Sequence, residues 1–488
     1  VKVAVVHHHL KRGGVTQVIR NTLPAFPARG LTSVTLIGEP LDDASFPGAL
    51  RVIPELVYCE GTPGISGKDL ARKLMEAARC GLDGARPDLW HFHNPTLGKH
   101  AALPACLHHM IQSGERVLLH IHDFAEDGRP LLYANLRHHL GAIPLYPFGR
   151  GIRYAVINGR DARILRDAGV PPAQVCNIGN PVIPPMEPSG ARSGLRDCGL
   201  QQGQRLILYP TRGIRRKNLG ECLLLAATSR DGEFFATTLL PENAQWQFLH
   251  REWESFAHEH ALPLRLGVAH SGGFSFEDWV HRADLFLSTS IQEGFGLAFL
   301  EPLNMGKPVA GRNLPDITAD FESKGLVNPL LYERLEVPLD AVSRQNLKGR
   351  MRQAFKRHFE SYAKPWTETM LDAHWEFASG GDEGQVDFAY LDEPAQRDVI
   401  RKALSDAGLR QHLRPSVLDQ TLSPLQLQTL QGASQKAFGV DAYVDQLITR
   451  YHSMLEDQDD ERGCVGSADE SRILDAFLKP AELRLLKT

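Results

Sequence analysis

The sequence predicts an α/β protein of two Rossmann-like, doubly wound domains facing a cleft, with an additional, mainly helical segment towards the C-terminus. Three observations predict it. A strand-like run at 1–6 leads into Gly13-Gly14 and a helical pattern from Val15, the strand, glycine turn and helix that open a Rossmann-like half. Short apolar runs then alternate with helical patterns, which implies a parallel sheet covered on both faces. The alternation stops in a proline- and glycine-rich stretch at 180–194 and restarts at Arg205, so a second half follows the first.

In the first half, strands are expected at 1–6, 31–37, 89–93, 117–122 and 155–157, with helical segments such as 69–79 between them. Pro181, Pro184, Pro185, Pro188, Gly190 and Gly194 make 180–194 an interdomain linker. The second half runs strand 205–209, helix 217–229, strand 264–268, helix 276–282 and strand 285–288, followed directly by a turn at Glu293. The two domains are therefore set at 1–182 and 195–340. Residues 341–430 read as a mainly helical insertion with an irregular stretch at 380–384, and no role can be assigned to it. The spacing of Tyr443, Leu447 and Tyr451 predicts an amphipathic helix over 441–455, with Asp441 as its N-cap. The acidic run at 456–461 makes 456–488 a charged, solvated tail.

A chain of 488 residues can bury sizeable cores, and 42% hydrophobic with 23% charged residues is ordinary for a soluble protein. A net charge of −4 gives no reason to expect nucleic acid. Seven cysteines, without a Cys-x-x-Cys spacing, read as reduced thiols and point to the cytoplasm. No apolar run approaches the roughly 18 residues of a membrane span, and the N-terminus reads as a strand rather than a leader. Peripheral membrane contact and homo-oligomers stay open.

The stretch Glu293-Gly294-Phe295-Gly296-Leu297, continuing to Glu301, has the make-up of a ligand cradle. Its glycines let a ligand approach the backbone, and the helix that follows points N–H groups and its positive dipole end at an anion such as a sugar diphosphate. A glycosidase pair is disfavoured. Eight helical residues span roughly 12 Å, whereas hydrolase carboxylates sit roughly 5 to 9.5 Å apart. His7 to His9 would alternate sides of an extended segment and converge poorly on a metal. Asp457-Gln-Asp459, the one Asp-x-Asp match, falls in the acidic run and reads as solvated charge. No metal-bound diphosphate motif is left.

Several motifs occur in one order: Gly13-Gly14, His122-Asp123, Asn180-Pro181-Val182, Arg212-x4-Lys217, the Glu293/Glu301 pair, and Gly306-Lys307-Pro308-Val309. In these the chain resembles the retaining, nucleotide-sugar-dependent glycosyltransferases of family four, which have the GT-B fold. The resemblance covers about 1–320 and 431–455; the roughly 100 residues between are a departure from the family's shorter connection. It implies a cytoplasmic hexosyltransferase that uses a nucleoside diphosphate sugar and a hydroxyl acceptor, attacks from the front face and needs no metal. A sugar-nucleotide epimerase, a phosphorylase and a non-catalytic sugar-nucleotide binder are the alternatives.

The resemblance also assigns roles. Arg212 and Lys217 would stabilise the leaving diphosphate, with Arg215 and Arg216 peripheral. Glu293 would face the transferred sugar, Glu301 would accept hydrogen bonds from the ribose hydroxyls, and the amides of Phe295, Gly296 and Leu297 would line sugar and phosphates. His122 would face the reacting sugar from the first domain, with Asp123 orienting it or capping the next turn. Gly13 and Gly14 would allow close backbone approach, and the helix within 431–455 would pack back on the first domain.

Overall fold

The protein is described by a computed structural model over residues 1–11, 13–43, 45–59, 61–183, 199–270, 274–382, 384–456 and 463–487. Most of the expected linker, from residue 184, and the Asp457-Gln-Asp459 match lie outside the described residues. The chain divides into two compact units. The first is Val1–Pro181 with Ala437–Leu478; the second is Val182–Lys436 with Lys479–Thr488.

The first unit is built on a seven-stranded sheet. Its strands are β1 (Lys2–Val6), β2 (Thr32–Ile37), β3 (Ala49–Val52), β4 (Leu89–His93), β5 (Val117–Ile121), β6 (Ile152–Val156) and β7 (Val175–Asn177). They lie in the order β3-β2-β1-β4-β5-β6-β7, and every neighbouring pair is parallel. All five residues of β4 and all five of β5 are buried, as expected of strands covered on both faces. Alternate residues feed two cores. Ala4, Val6, Trp90, Phe92, Leu119 and Ile121 enter one; Val3, Val5, Leu89, Leu118 and Ala155 enter the other.

Helices α1 (Gly14–Thr22) and α7 (Val440–Leu455; α2 to α6 belong to the second unit) cover that second face. Tyr443, Leu447 and Tyr451 are buried there beside Val18, Ile19 and Phe26. At about 1.5–3 kcal/mol for each large side chain buried, this stripe stabilises the unit by several kcal/mol. The expected cap is corrected: the helix starts at Val440, Gly439 is the N-cap, and Asp441 lies in the first turn. Its carboxylate instead accepts from Arg29 at 2.8 Å.

The charged tail is also corrected. Gly466–Ser467 pairs antiparallel with Pro147–Phe148. Asp469 caps helix α8 (Glu470–Phe477), accepting from the amides of Ser471 and Arg472, and α8 buries Ile473 and Leu474. Residues 479–487 belong to the second unit, where the Arg484 guanidinium lies 3.5 Å from the Tyr390 ring centroid. The apolar pair and its cap outweigh the charged residues around them.

The second unit's six-stranded sheet contains β8 (Arg205–Arg212), β9 (Glu233–Leu239), β10 (Leu264–Arg265), β11 (Leu285–Ser288), β12 (Val309–Arg312) and β13 (Leu331–Tyr332). The order is β10-β9-β8-β11-β12-β13, again parallel throughout. The strand expected at 264–268 is shorter, because Gly267 at φ +69° turns the chain out of the sheet. Strand β9 was not anticipated; it is the sheet neighbour of β8.

Helix α2 (Leu219–Ala227) is buried at all nine positions. The 341–430 segment supplies α4 (Arg344–Ser361), α5 (Glu368–Ser379) and α6 (Glu393–Ser405), after α3 (Leu297–Asn304). It is wired into this unit. The nearly fully buried Arg312 of β12 donates to Glu221 of α2 at 2.7 and 3.0 Å and to Asp387 at 2.9 Å. Gln396 of α6 donates to Asn218 Oδ1 at 2.9 Å.

Candidate active site

In the second unit the candidate residues sit on loops at the C-terminal ends of β8 and β11, where open parallel sheets bind ligands. The β11 loop turns at Gly296, whose φ of +94° is left-handed. A Cβ there would lie 2.7 Å from Ile317 Cγ2, so glycine is required twice over. Leu297 then begins α3 with Gly296 as N-cap. Phe295 is buried, its ring edge-on to Phe321 at 6.1 Å.

Glu293 is the centre of a charged cluster. One carboxylate oxygen accepts from the Lys217 ammonium and, at 2.6 Å, from the Ser290 hydroxyl. Ser290 is in turn 2.7 Å from the Tyr209 hydroxyl. The other oxygen lies 3.5 Å from Arg216 Nη1, which also donates to the Gln292 carbonyl at 2.9 Å. Burial pushes the Glu293 carboxyl up, but Lys217 and Arg216 together outweigh it and hold it below the usual range. Burial draws the Lys217 ammonium down, against the pull of Glu293.

Glu301 stands apart. Its carboxylate makes no hydrogen bond among the described residues, and although solvent reaches it, the surrounding protein pushes it up to about 7, with Lys217 opposing.

The basic loop explains which cation goes where. Arg215–Lys217 forms one turn of 3-10 helix, closed by Asn218 in the left-handed region at φ +51°. Three residues per turn send three successive side chains in three directions. Arg215 forks onto Glu393 of α6 at 2.7 and 3.0 Å, while Lys217 and Arg216 reach Glu293. Arg212, at the end of β8, pairs at 3.0 Å with the largely exposed Glu242. Arg216, expected to be peripheral, thus lies 3.5 Å from Glu293, whereas the structure does not bring Arg212 onto Glu293. Nothing in the spacing of Arg212, Arg215, Arg216 and Lys217 distinguishes them; the turn does.

In the first unit, His122 follows β5 and is buried, its Nε2 2.9 Å from His93 Nδ1. Its backbone N–H and that of Asp123 donate to Asn94 Oδ1 at 2.7 and 3.0 Å. The Asp123 carboxylate accepts from Arg129 at 2.6 Å and from Asn94 at 3.3 Å. His122 belongs to a larger group: His91 Nε2 lies 3.0 Å from His120 Nδ1, and His91 Nδ1 is 2.7 Å from the Tyr451 hydroxyl. The sequence signal was a His-x-His at the end of each of two strands. Burial holds His91 down at about 3 and His122 at about 4.

Gly13 has extended backbone at φ 176°. A Cβ on Gly14 would meet nothing within 4 Å, and one on Gly13 only Lys11 O at 3.9 Å. The folded chain does not require glycine at either position.

No protein-family model matches the chain. Over 99% of its length it is 24% identical to the curated mannosylglucosyl-3-phosphoglycerate synthase of Petrotoga mobilis, of which it covers 98%. Among solved structures it is similar to Anabaena HepE in complex with UDP-glucose, with a TM-score of 0.53 at 13% identity, covering 93% of this chain and 99% of that one. A glycosyltransferase from Rickettsia africae gives a TM-score of 0.56 at 12% identity over 93% and 98% of the two chains. Two parallel sheets in this order, and structural likeness over 93% of the chain, show the GT-B fold.

Proposed function

We propose that the chain is a retaining, metal-independent hexosyltransferase that moves a hexosyl unit from a nucleoside diphosphate sugar to an acceptor hydroxyl. The observation that carries this reading is the cluster in which the largely buried Lys217 and the half-exposed Arg216 share the buried Glu293. Cations fixed in place before reaction stabilise charge that develops on a leaving diphosphate more than charge already present in the ground state. Lys217 and Arg216 take that role, with Arg212 at the rim. Glu301, whose carboxylate has no hydrogen bond among the described residues, accepts from the ribose hydroxyls. Phe295, Gly296 and Leu297 present the backbone at the head of α3, and Glu293 orients the sugar.

The anomeric carbon–oxygen bond to phosphate breaks with its electron pair passing to the phosphate oxygen. The acceptor oxygen bonds to the same face of the carbon, and its proton passes to that phosphate oxygen. No separate general base is needed. His122, a neutral ring at neutral pH, contributes a hydrogen bond to the sugar, while Gly13 and Gly14 admit a ligand close to the backbone. Similarity to the Petrotoga mannosylglucosyl-3-phosphoglycerate synthase supports a phosphoglycerate-bearing sugar as acceptor. We place the reaction in the cytoplasm; among the described residues no helix is long and apolar enough to cross a membrane.

A thermal-shift screen of UDP-, GDP- and ADP-sugars identifies the donor, since a tight binder raises the melting temperature by mass action. The product made with that donor should keep the donor's anomeric configuration by NMR and should form in excess EDTA. An inverted product refutes retention. Complete loss in EDTA that magnesium restores refutes the metal-independent account of the diphosphate.

A further inference from the structure

We propose that His91, His93 and His120 form a binding site for a divalent transition-metal ion of the zinc or cobalt kind. The site is buried in the sheet of the first unit and is separate from the diphosphate chemistry above. Register creates it. His93 of β4 stands opposite His120 of β5, and His91 is two residues before His93 on the same face. One ring nitrogen from each of the three lies within 4.8 Å of the others. His91 and His120 already stand 3.0 Å apart through Nε2 and Nδ1. Zinc–imidazole bonds of about 2.0–2.1 Å place tetrahedral ligand nitrogens roughly 3.4 Å apart, a spacing that small side-chain rotations on fixed strands supply.

A second observation points to a ligand. Following the protons from Tyr451 through His91 to His120 always ends on His120 Nε2, a buried nitrogen with no partner among the described residues. If Tyr451 donates, that nitrogen is a stranded N–H; if Tyr451 accepts, it is a stranded lone pair. Such an atom costs about 1–3 kcal/mol when left unmade. An ion coordinated by His120 Nε2 gives that atom a partner, which the Tyr451–His91–His120 chain by itself does not. The Tyr451 hydroxyl then accepts from His91 Nδ1 and fixes the ring, the outer contact that metal-bound histidines ordinarily have.

An all-nitrogen set of neutral imidazoles selects zinc, cobalt, nickel or iron over magnesium or calcium, which prefer oxygen. Burial keeps His91, His93 and His120 in the uncharged form that binds metal. Three neutral ligands leave the fourth position to water, hydroxide or a small anion.

The test uses the untagged full chain. Metal content is measured after purification, and cobalt is titrated while its visible absorption is followed, for the parent, His120→Gln, His93→Gln and the exposed-surface control His138→Gln. We expect about one equivalent in the parent and the control, and affinity lowered by on the order of a hundredfold or more in the other two. Circular dichroism confirms that each variant is folded. A parent chain that binds neither cobalt nor zinc stoichiometrically, as it would if a water satisfied His120, overturns the proposal. So does unchanged affinity in folded His120→Gln. If neither buried variant folds, the parent titration alone decides.

Discussion

In the first unit His91, His93, His120 and His122 are buried as uncharged rings that hydrogen-bond one another. In the second, Lys217 meets Glu293, and Arg312 meets Glu221 and Asp387, as buried charged pairs. The difference follows from intrinsic pKa. An imidazole can shed its charge near neutrality, so burial simply lowers its pKa, to about 3 at His91 and about 4 at His122. A guanidinium cannot shed its charge, and an ammonium does so only at high cost; each is buried with a carboxylate. The first arrangement depends on ring orientation and the second on charge balance, so they should fail in different ways.

The largest effect should come from breaking the charge balance. Arg312→Met leaves two carboxyls facing each other in the interior and should cost about 3–5 kcal/mol in chemical denaturation. A loss below about 1 kcal/mol would show that the two carboxyls are protonated at little cost and that the contrast with the histidines is overstated.

Next comes Lys217→Ala, which should lower turnover on the order of a hundredfold, about 3 kcal/mol, while nucleotide affinity changes less. Arg216→Ala should follow it in size, and Arg212→Ala, whose partner is the exposed Glu242, should lose least. Equal losses at Arg212 and Arg216 in steady-state kinetics would contradict the division of labour set by the 3-10 turn.

Tyr451→Phe sharpens the other side of the comparison. It removes the hydroxyl from His91 Nδ1 without changing a charge and should cost about 1 kcal/mol in denaturant unfolding. A cost as large as that of Arg312→Met would mean that the neutral array is as demanding as the ion pairs.

The smallest effect concerns Glu301. Its folded pKa is about 7 against an ordinary value of 4.5. Between those values the folded chain holds more protons than the unfolded one, so this group's contribution to stability falls as pH rises through that window. Glu301→Gln removes the loss. Without ligand, the variant should gain stability over the parent from about pH 5 to pH 7, by on the order of 1 kcal/mol because solvent reaches the carboxylate. It should also bind nucleotide more weakly. A parent–variant difference that is flat with pH would show that Glu301 is not the titrating group.

Short, fully buried strands were legible because their composition leaves no other element: 89–93 and 285–288 coincide with β4 and β11. Strand β9 is less legible, since Glu233-Phe-Phe-Ala-Thr-Thr-Leu239 lacks clean alternation, although Asp231-Gly232 marks a turn directly before it. Of the candidate site, Lys217 and Glu293 both stand out in the sequence, and the structure joins them. Arg216 reads as peripheral because loop arginines look alike in a sequence, and the direction of each depends on backbone dihedrals. The packed residues after 463 were hidden by neighbouring charge, which dominates composition but not burial.

By itself the sequence determined the two sheets, the glycine turn before α3 and the amphipathic stripe of α7. Those follow from local rules, namely apolar runs, the left-handed φ that only glycine adopts cheaply, and helical spacing. Tertiary structure alone decided that His91 meets His120, that Arg216 rather than Arg212 meets Glu293, and that Arg312 is balanced by residues 91 and 75 positions away. Those pairings are set by strand register and by the exit angles of turns, quantities that exist only once distant segments have packed.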